Sequence, residues 1–193
     1  MKTGCNTNAL SNTGRDSAIV IAIMNGNEEE IHILGQAGAN FNVAIKEDLT
    51  PLQLAFNLLS PIPIIEALVV HGADIFVRSA ADDTLLMFAC KNSSLLTIQF
   101  LVEKGAGLND FNNLLQSPLM FALSANRTDN KILINYLIKN GSNVNNLDEQ
   151  LNNALMYVSR EPGSKQTHED ITACIYSLIK NGVNVDDVNI DNW

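Results

Sequence analysis

Thr50-Pro51-Leu52-Gln53-Leu54-Ala55 carries a complete helix start in six residues. Threonine supplies an oxygen for the first free N–H groups, and proline at the next position already has the right φ and needs no donor. The alanine five positions on lets a neighbouring helix approach closely. The pattern returns as Ser17-Ala18-Ile19-Val20-Ile21-Ala22, Thr84-Leu85-Leu86-Met87-Phe88-Ala89 and Ser117-Pro118-Leu119-Met120-Phe121-Ala122, and most weakly as Asn153-Ala154-Leu155-Met156-Tyr157-Val158. These starts lie 33, 34, 33 and 36 residues apart.

A second anchor keeps step with the first. It reads Gly38-Ala39-Asn40-Phe41-Asn42, Gly72-Ala73-Asp74-Ile75-Phe76, Gly105-Ala106-Gly107-Leu108-Asn109, Gly141-Ser142-Asn143-Val144-Asn145 and Gly182-Val183-Asn184-Val185-Asp186. Glycine here suits the left-handed cap just past a helix end. Between the anchors run apolar residues at helical spacing: Ile31 and Leu34; Ile64, Ile65, Leu68 and Val69; Ile98, Leu101 and Val102; Leu133, Ile134, Leu137 and Ile138; Ile175, Leu178 and Ile179. Each set predicts a second helix with one face inward. One such unit buries too little alone, so its stability comes from its neighbours.

On these two anchors the sequence resembles the ankyrin-repeat family, over nearly the whole chain. The resemblance implies an all-α repeat solenoid, with a β-turn or finger and a helix pair in about 33 residues. Residues 14–193 form the repeat domain, with capping residues Ser17, Thr50, Thr84, Ser117 and Asn153 and a partial sixth repeat from about 187. Residues 1–13 form a polar tail. The family's histidine after Thr-Pro-Leu is replaced by Val20, Gln53, Met87, Met120 and Met156, which reads as core filling. Ser60-Pro61-Ile62-Pro63 predicts a stiff inter-helix turn. Residues 160–170 read as an exposed loop inserted between two helices. Counting one interval on from Gly182 places the next capping threonine one position past Trp193, so the expectation is a fragment of a longer protein.

Composition narrows the function. The formal charge is −9 with few, scattered basic residues, which argues against nucleic acid and anionic membranes as partners. The N-terminus has no secretory signal pattern, and no apolar run approaches a membrane span. Three cysteines, Cys5, Cys90 and Cys174, are too few and too dispersed for a disulfide framework or a zinc site. Cys90 and Cys174 fall in apolar runs and read as buried hydrophobes. The expected setting is cytoplasmic, or a host cytosol for a secreted effector.

Chemistry-bearing motifs are missing. His32, His71 and His168 have no His or Cys partner one helical turn away. His32 is placed on an outward face, and His71 next to a capping glycine. Asn25-Gly26-Asn27 is a turn, and Glu28-Glu29-Glu30 begins a helix, where carboxylates complement the dipole. No phosphate loop or nucleophile elbow occurs. The reading is therefore a monomeric, non-enzymatic protein-interaction module without a cofactor. The alternative is the target-recognition segment of a multidomain enzyme or bacterial effector whose catalytic domain lies elsewhere.

The resemblance also projects a partner surface onto the residues before each cap and those seven and eight after it. These are Lys46, Glu47, Leu49, Asn57 and Leu58 in the second repeat, and Asp83, Lys91 and Asn92 in the third, beside Ala80 and Ala81. In the fourth they are Asn113, Leu114 and Gln116, with Ser124 and Ala125. In the fifth they are Glu149 and Arg160, with Gln150, Asn152 and Glu161. Trp193 occupies the finger position equivalent to Leu49. Leu49, Leu58 and Leu114 are the favoured contacts, because a solvated position has little use for leucine.

Overall fold

The computed structural model describes residues 17–45, 49–159 and 167–191. The tail over 1–13 and the partner candidates Lys46, Glu47, Arg160 and Trp193 lie outside the described residues. The described chain is helical, and an isolated antiparallel bridge joins Arg78 and Thr84. Ten helices occur among the described residues. The chain divides into two compact units, 1–77 and 78–193.

The first unit holds α1 (Ala18–Met24), α2 (Glu28–Gln36), α3 (Pro51–Asn57) and α4 (Ile62–Val70). Within it α1 packs on α3 and α2 on α4, so first helices form one layer and second helices another. The second unit holds α5 (Leu85–Asn92), α6 (Leu95–Glu103), α7 (Pro118–Leu123), α8 (Asn130–Lys139), α9 (Ala154–Val158) and α10 (His168–Lys180). There α5, α7 and α9 stack in one layer, and α8 meets α10 in the other.

The first anchor does what its chemistry requires. Side chains of Ser17, Thr50, Thr84 and Asn153 accept the N–H three residues on, at 3.1 to 3.4 Å. Ser117 keeps the capping-box arrangement with Met120, but its buried hydroxyl meets the Met120 N–H in looser geometry than the other four caps. At the third helical position Gln53 Oε1 accepts the Thr50 N–H at 3.0 Å. The sulfurs of Met87 and Met120 take the same place over Thr84 and Ser117, each at 3.4 Å. Met87 and Met120 are thus core residues that also close a cap, while Met156 is half-buried. Ala22, Ala55, Ala89 and Ala122 are fully buried between helices.

At the helix ends Gly141 represents its class. It has φ +102°, its N–H donates to Ile138, and the Ser142 N–H reaches back to Leu137. That pair of bonds needs a left-handed residue, and any side chain there is strained. The asparagine four positions past three of these glycines adds a further tie. Asn42 Nδ2 donates to the Gly72 carbonyl and its Oδ1 accepts from the Asp74 N–H, both at 2.8 Å. Asn109 does the same to Gly141 and Asn143, and Asn145 to Gly182 and Asn184. Each such amide is a rung between consecutive repeats.

Two ties lie outside the repeat pattern. In the first unit His71, at the end of α4, lies over α2, with its Nε2 2.9 Å from Nδ1 of His32 and its ring stacked on Phe41. Gly35 makes room, because a β-carbon there would meet the His71 ring at 2.2 Å. In the second unit the Arg127 guanidinium is nearly buried. It forms a paired contact with Asp129 at 2.8 Å and donates to the carbonyls of Cys90 and Ser93, so it caps the end of α5.

Three expectations need correcting. His168, Glu169 and Asp170 are not loop: Thr167 caps α10 through Asp170, and all three sit in its first turn. The rest of that expected loop, 160–166, lies outside the described residues. Ile179 points to solvent, because the buried face of α10 runs through Cys174, Ser177 and Leu178, one position out of phase with the assignment. His32 is only partly exposed and has a partner in His71.

Candidate functional site

The fingers of the second unit share one turn. Ser79, Asn112 and Asp148 each use a side-chain oxygen to accept the N–H groups two and four residues on. A side-chain oxygen that takes two backbone donors fixes the loop as an Asx or Ser turn. The residue three positions on is thereby forced left-handed: Asp82 at φ +64°, Leu115 at +57° and Leu151 at +61°. Consecutive fingers are then laced by single backbone bonds. Asn113 donates to Ala81, Glu149 to Leu114 and Ile190 to Gln150, at 3.0 to 3.1 Å.

Beneath the tips runs a polar chain that the sequence did not reveal. Asn112 Nδ2 donates to Asp83 at 2.7 Å and to Gln116 at 3.1 Å. Gln116 Nε2 donates to the Tyr157 hydroxyl, which donates in turn to Asp148 at 2.7 Å. Asn152 donates to the same carboxylate and accepts from Asn189 Nδ2 at 2.9 Å. Asp148 is 2% exposed, Tyr157 4% and Asn152 4%, so this chain is a core element. Buried polar groups persist only with their partners made, and these are.

The projected partner residues separate accordingly. Asp83 and Gln116 are half-buried and committed to Asn112 and Tyr157. Ala125 and Asn152 are buried and unavailable as surface. Leu49 is half-buried, its carbonyl accepting from Ile45. Asn57 and Leu58 are exposed in the first unit, and Lys91, Asn92, Asn113, Leu114 and Glu149 in the second. The position two before each cap was not projected, yet it carries the exposed Leu115 and Leu151. No residue type there announces a left-handed turn; the signal is the Asn or Asp three residues earlier.

The two cysteines among the described residues are buried thiols. Burial pushes the Cys90 thiol up to about 12, against the lowering effect of Arg127, and Cys174 up to about 11. Among the described residues no three His, Cys, Asp or Glu side chains gather as a metal site. Among the same residues no helix is long and apolar enough to cross a membrane.

The solved structures it resembles share this architecture. An ankyrin repeat domain from Acinetobacter baumannii AYE superposes with a TM-score of 0.77 at 22% identity, over 93% of this chain and 88% of that one. The ankyrin repeat domain of Bcl-3, a member of the IkappaB protein family, gives 0.78 at 22% identity, over 98% of this chain and 80% of that one. A fowlpox virus (strain NVSL) ankyrin repeat protein is 32% identical over 115 residues, 58% of this chain. The chain spans about a third of that relative's length. A family model for ankyrin repeats in three copies matches residues 59–148 and 86–189, most of the sequence. The chain belongs to the ankyrin repeat family.

Proposed function

We propose that this protein is a protein-interaction module that takes its partner on the finger tips and on the exposed ends of the first helices. The observation that supports this most is the placement of leucine. Leu58, Leu114, Leu115 and Leu151 are exposed, while Asn112, Asp148 and Asn152 of the fingers are turned inward and satisfied. A solvated surface has no need of that inversion, and exposed aliphatic groups on a pinned backbone suit contact with another protein. Asn57 is exposed beside Leu58 in the first unit; in the second unit Asn113 and Glu149 are exposed beside Leu114, and Lys91 and Asn92 at the end of α5. In this reading the repeat domain runs over 14–193, and the segment from about 187 serves as a further finger.

The test is affinity capture with the 193-residue chain as bait, against Leu58→Arg and Leu114→Arg. Both side chains are exposed, and circular dichroism checks that each variant folds. A partner held on this face is lost from at least one variant. A partner retained undiminished by both places the interface elsewhere.

A further inference from the structure

We infer that the finger tips of the second unit form a binding strip for a basic, amphipathic peptide segment, with Leu115 and Leu151 as its aliphatic anchors; this rests on the interaction reading above. Three observations converge. First, Leu115 and Leu151 are 51% and 46% exposed at φ +57° and +61°. A left-handed leucine is costly, whereas Asn, Asp or Gly accepts the conformation. The third finger shows the relaxed solution, with Asp82 in the same place. Two leucines kept in strain and in water gain nothing for the free fold.

Second, the anchors form a row. The bonds Glu149 to Leu114 and Ile190 to Gln150 lace the fingers side by side, so Leu114 and Leu115, Leu151, then Val188 and Ile190 follow one another along the edge. Each finger is a two-armed turn, so successive tips stand roughly 10 Å apart. An α-helical ligand repeats a side chain on one face at about that distance every seventh residue.

Third, the charge around the row selects the partner. Residues 78–84, 110–116, 147–152 and 185–191 contain eight carboxylates and one cation, Arg78. Arg78 is committed to Asp82 and Asp110 at 3.1 and 3.2 Å. Glu149, Asp186 and Asp191 remain exposed. An aliphatic row rimmed by carboxylates complements lysine and arginine flanking apolar side chains.

Fluorescence anisotropy on the full chain tests this with a labelled Leu/Lys amphipathic helix of about 18 residues. Controls replace every Lys by Glu, or every Leu by Ala. Expected is binding of the Leu/Lys peptide, with both controls weaker by about tenfold or more. The Leu115→Asn, Leu151→Asn double variant relieves the backbone while removing the anchors. It should melt no lower than the parent and bind about tenfold more weakly. Equal binding of the Ala/Lys control reduces the effect to bulk charge and overturns the strip. No Leu/Lys binding at about 0.1 mM, or binding unchanged in the double variant, overturns it too. Self-association of the parent that the double variant abolishes would assign the strip to a second copy instead. If affinity capture succeeds but the captured segment is neutral or acidic, this inference fails while the interaction reading stands.

Discussion

The Tyr157 hydroxyl donates to the Asp148 carboxylate at 2.7 Å, and both residues are buried. Tyr157 belongs to α9 and Asp148 to the turn of the finger before it, so one proton holds a helix to its own finger. The same oxygen accepts from Gln116 of the preceding repeat at 2.8 Å. Tyr157→Phe keeps the ring and strands both partners, the carboxylate with one donor fewer and Gln116 without this acceptor. We expect a loss of about 1 to 3 kcal/mol, read as a lower urea midpoint. An unchanged midpoint would mean that the chain of bonds contributes nothing to stability.

Gly35 and His71 are fitted to each other. Alanine is the better helix former by about 1 kcal/mol, so Gly35→Ala in a free helix stabilises. Here its β-carbon would meet the ring at 2.2 Å, and that ring is held by His32 and Phe41. Overpacking costs about 1 to 3 kcal/mol, so the net effect is destabilising. Adding His71→Ala to Gly35→Ala should recover part of the loss. A double-mutant cycle with no coupling between the two sites would refute the contact.

Arg127 satisfies two carbonyls and a carboxylate at once. Arg127→Met leaves these acceptors unpaired in a largely buried site, at a cost of about 3 kcal/mol. Lysine cannot replace the forked donor and should restore only a fraction. The hydrogen bond from Arg127 holds the Asp129 carboxyl below its ordinary value of 3.8. A depressed carboxyl stabilises the fold fully above its unfolded value, and that contribution is lost as pH falls through the folded one. The stability gap between the parent and Asp129→Asn should therefore be constant from neutral pH down to about 4 and close in stronger acid.

Cys90 should be chemically silent. With its thiol pushed up to about 12 by burial, the thiolate fraction near pH 8 is on the order of one in ten thousand. Iodoacetamide followed by peptide mapping should leave Cys90 unlabelled in the native chain and label it after unfolding in guanidinium. Rapid native labelling would show that α5 opens readily.

The period, the caps and the small residues between helices were legible because each is enforced locally. A helix start needs an oxygen, a left-handed cap needs glycine, and a close helix contact needs alanine. What stayed hidden depends on pairs distant in sequence or on backbone angles that residue type does not encode. Gly35 looks like a weak point in α2 until His71 is laid over it. Leu59, Leu115 and Leu151 look like ordinary turn leucines, yet all three are left-handed. The family resemblance projects Asp83 and Gln116 onto the partner surface, but the buried Asn112 and Tyr157 draw them into the polar chain. The second-helix phase failed at Ile179 for a related reason: the packed face of α10 takes in Ser177, whose hydroxyl meets Asn135 at 2.6 Å, so apolar pattern alone misplaced it.

The asparagine rungs also set how this protein ages. Each of Asn42, Asn109 and Asn145 offers one donor to a glycine carbonyl and one acceptor to an N–H two residues further on. Hydrolysis of the amide to a carboxylate keeps the acceptor and turns the donor into a second, charged acceptor facing a carbonyl. All three side chains are solvent-exposed, where water can reach them. Slow deamidation would therefore unfasten the stack one joint at a time, and a stored sample would acquire negative charge and lose cooperativity together.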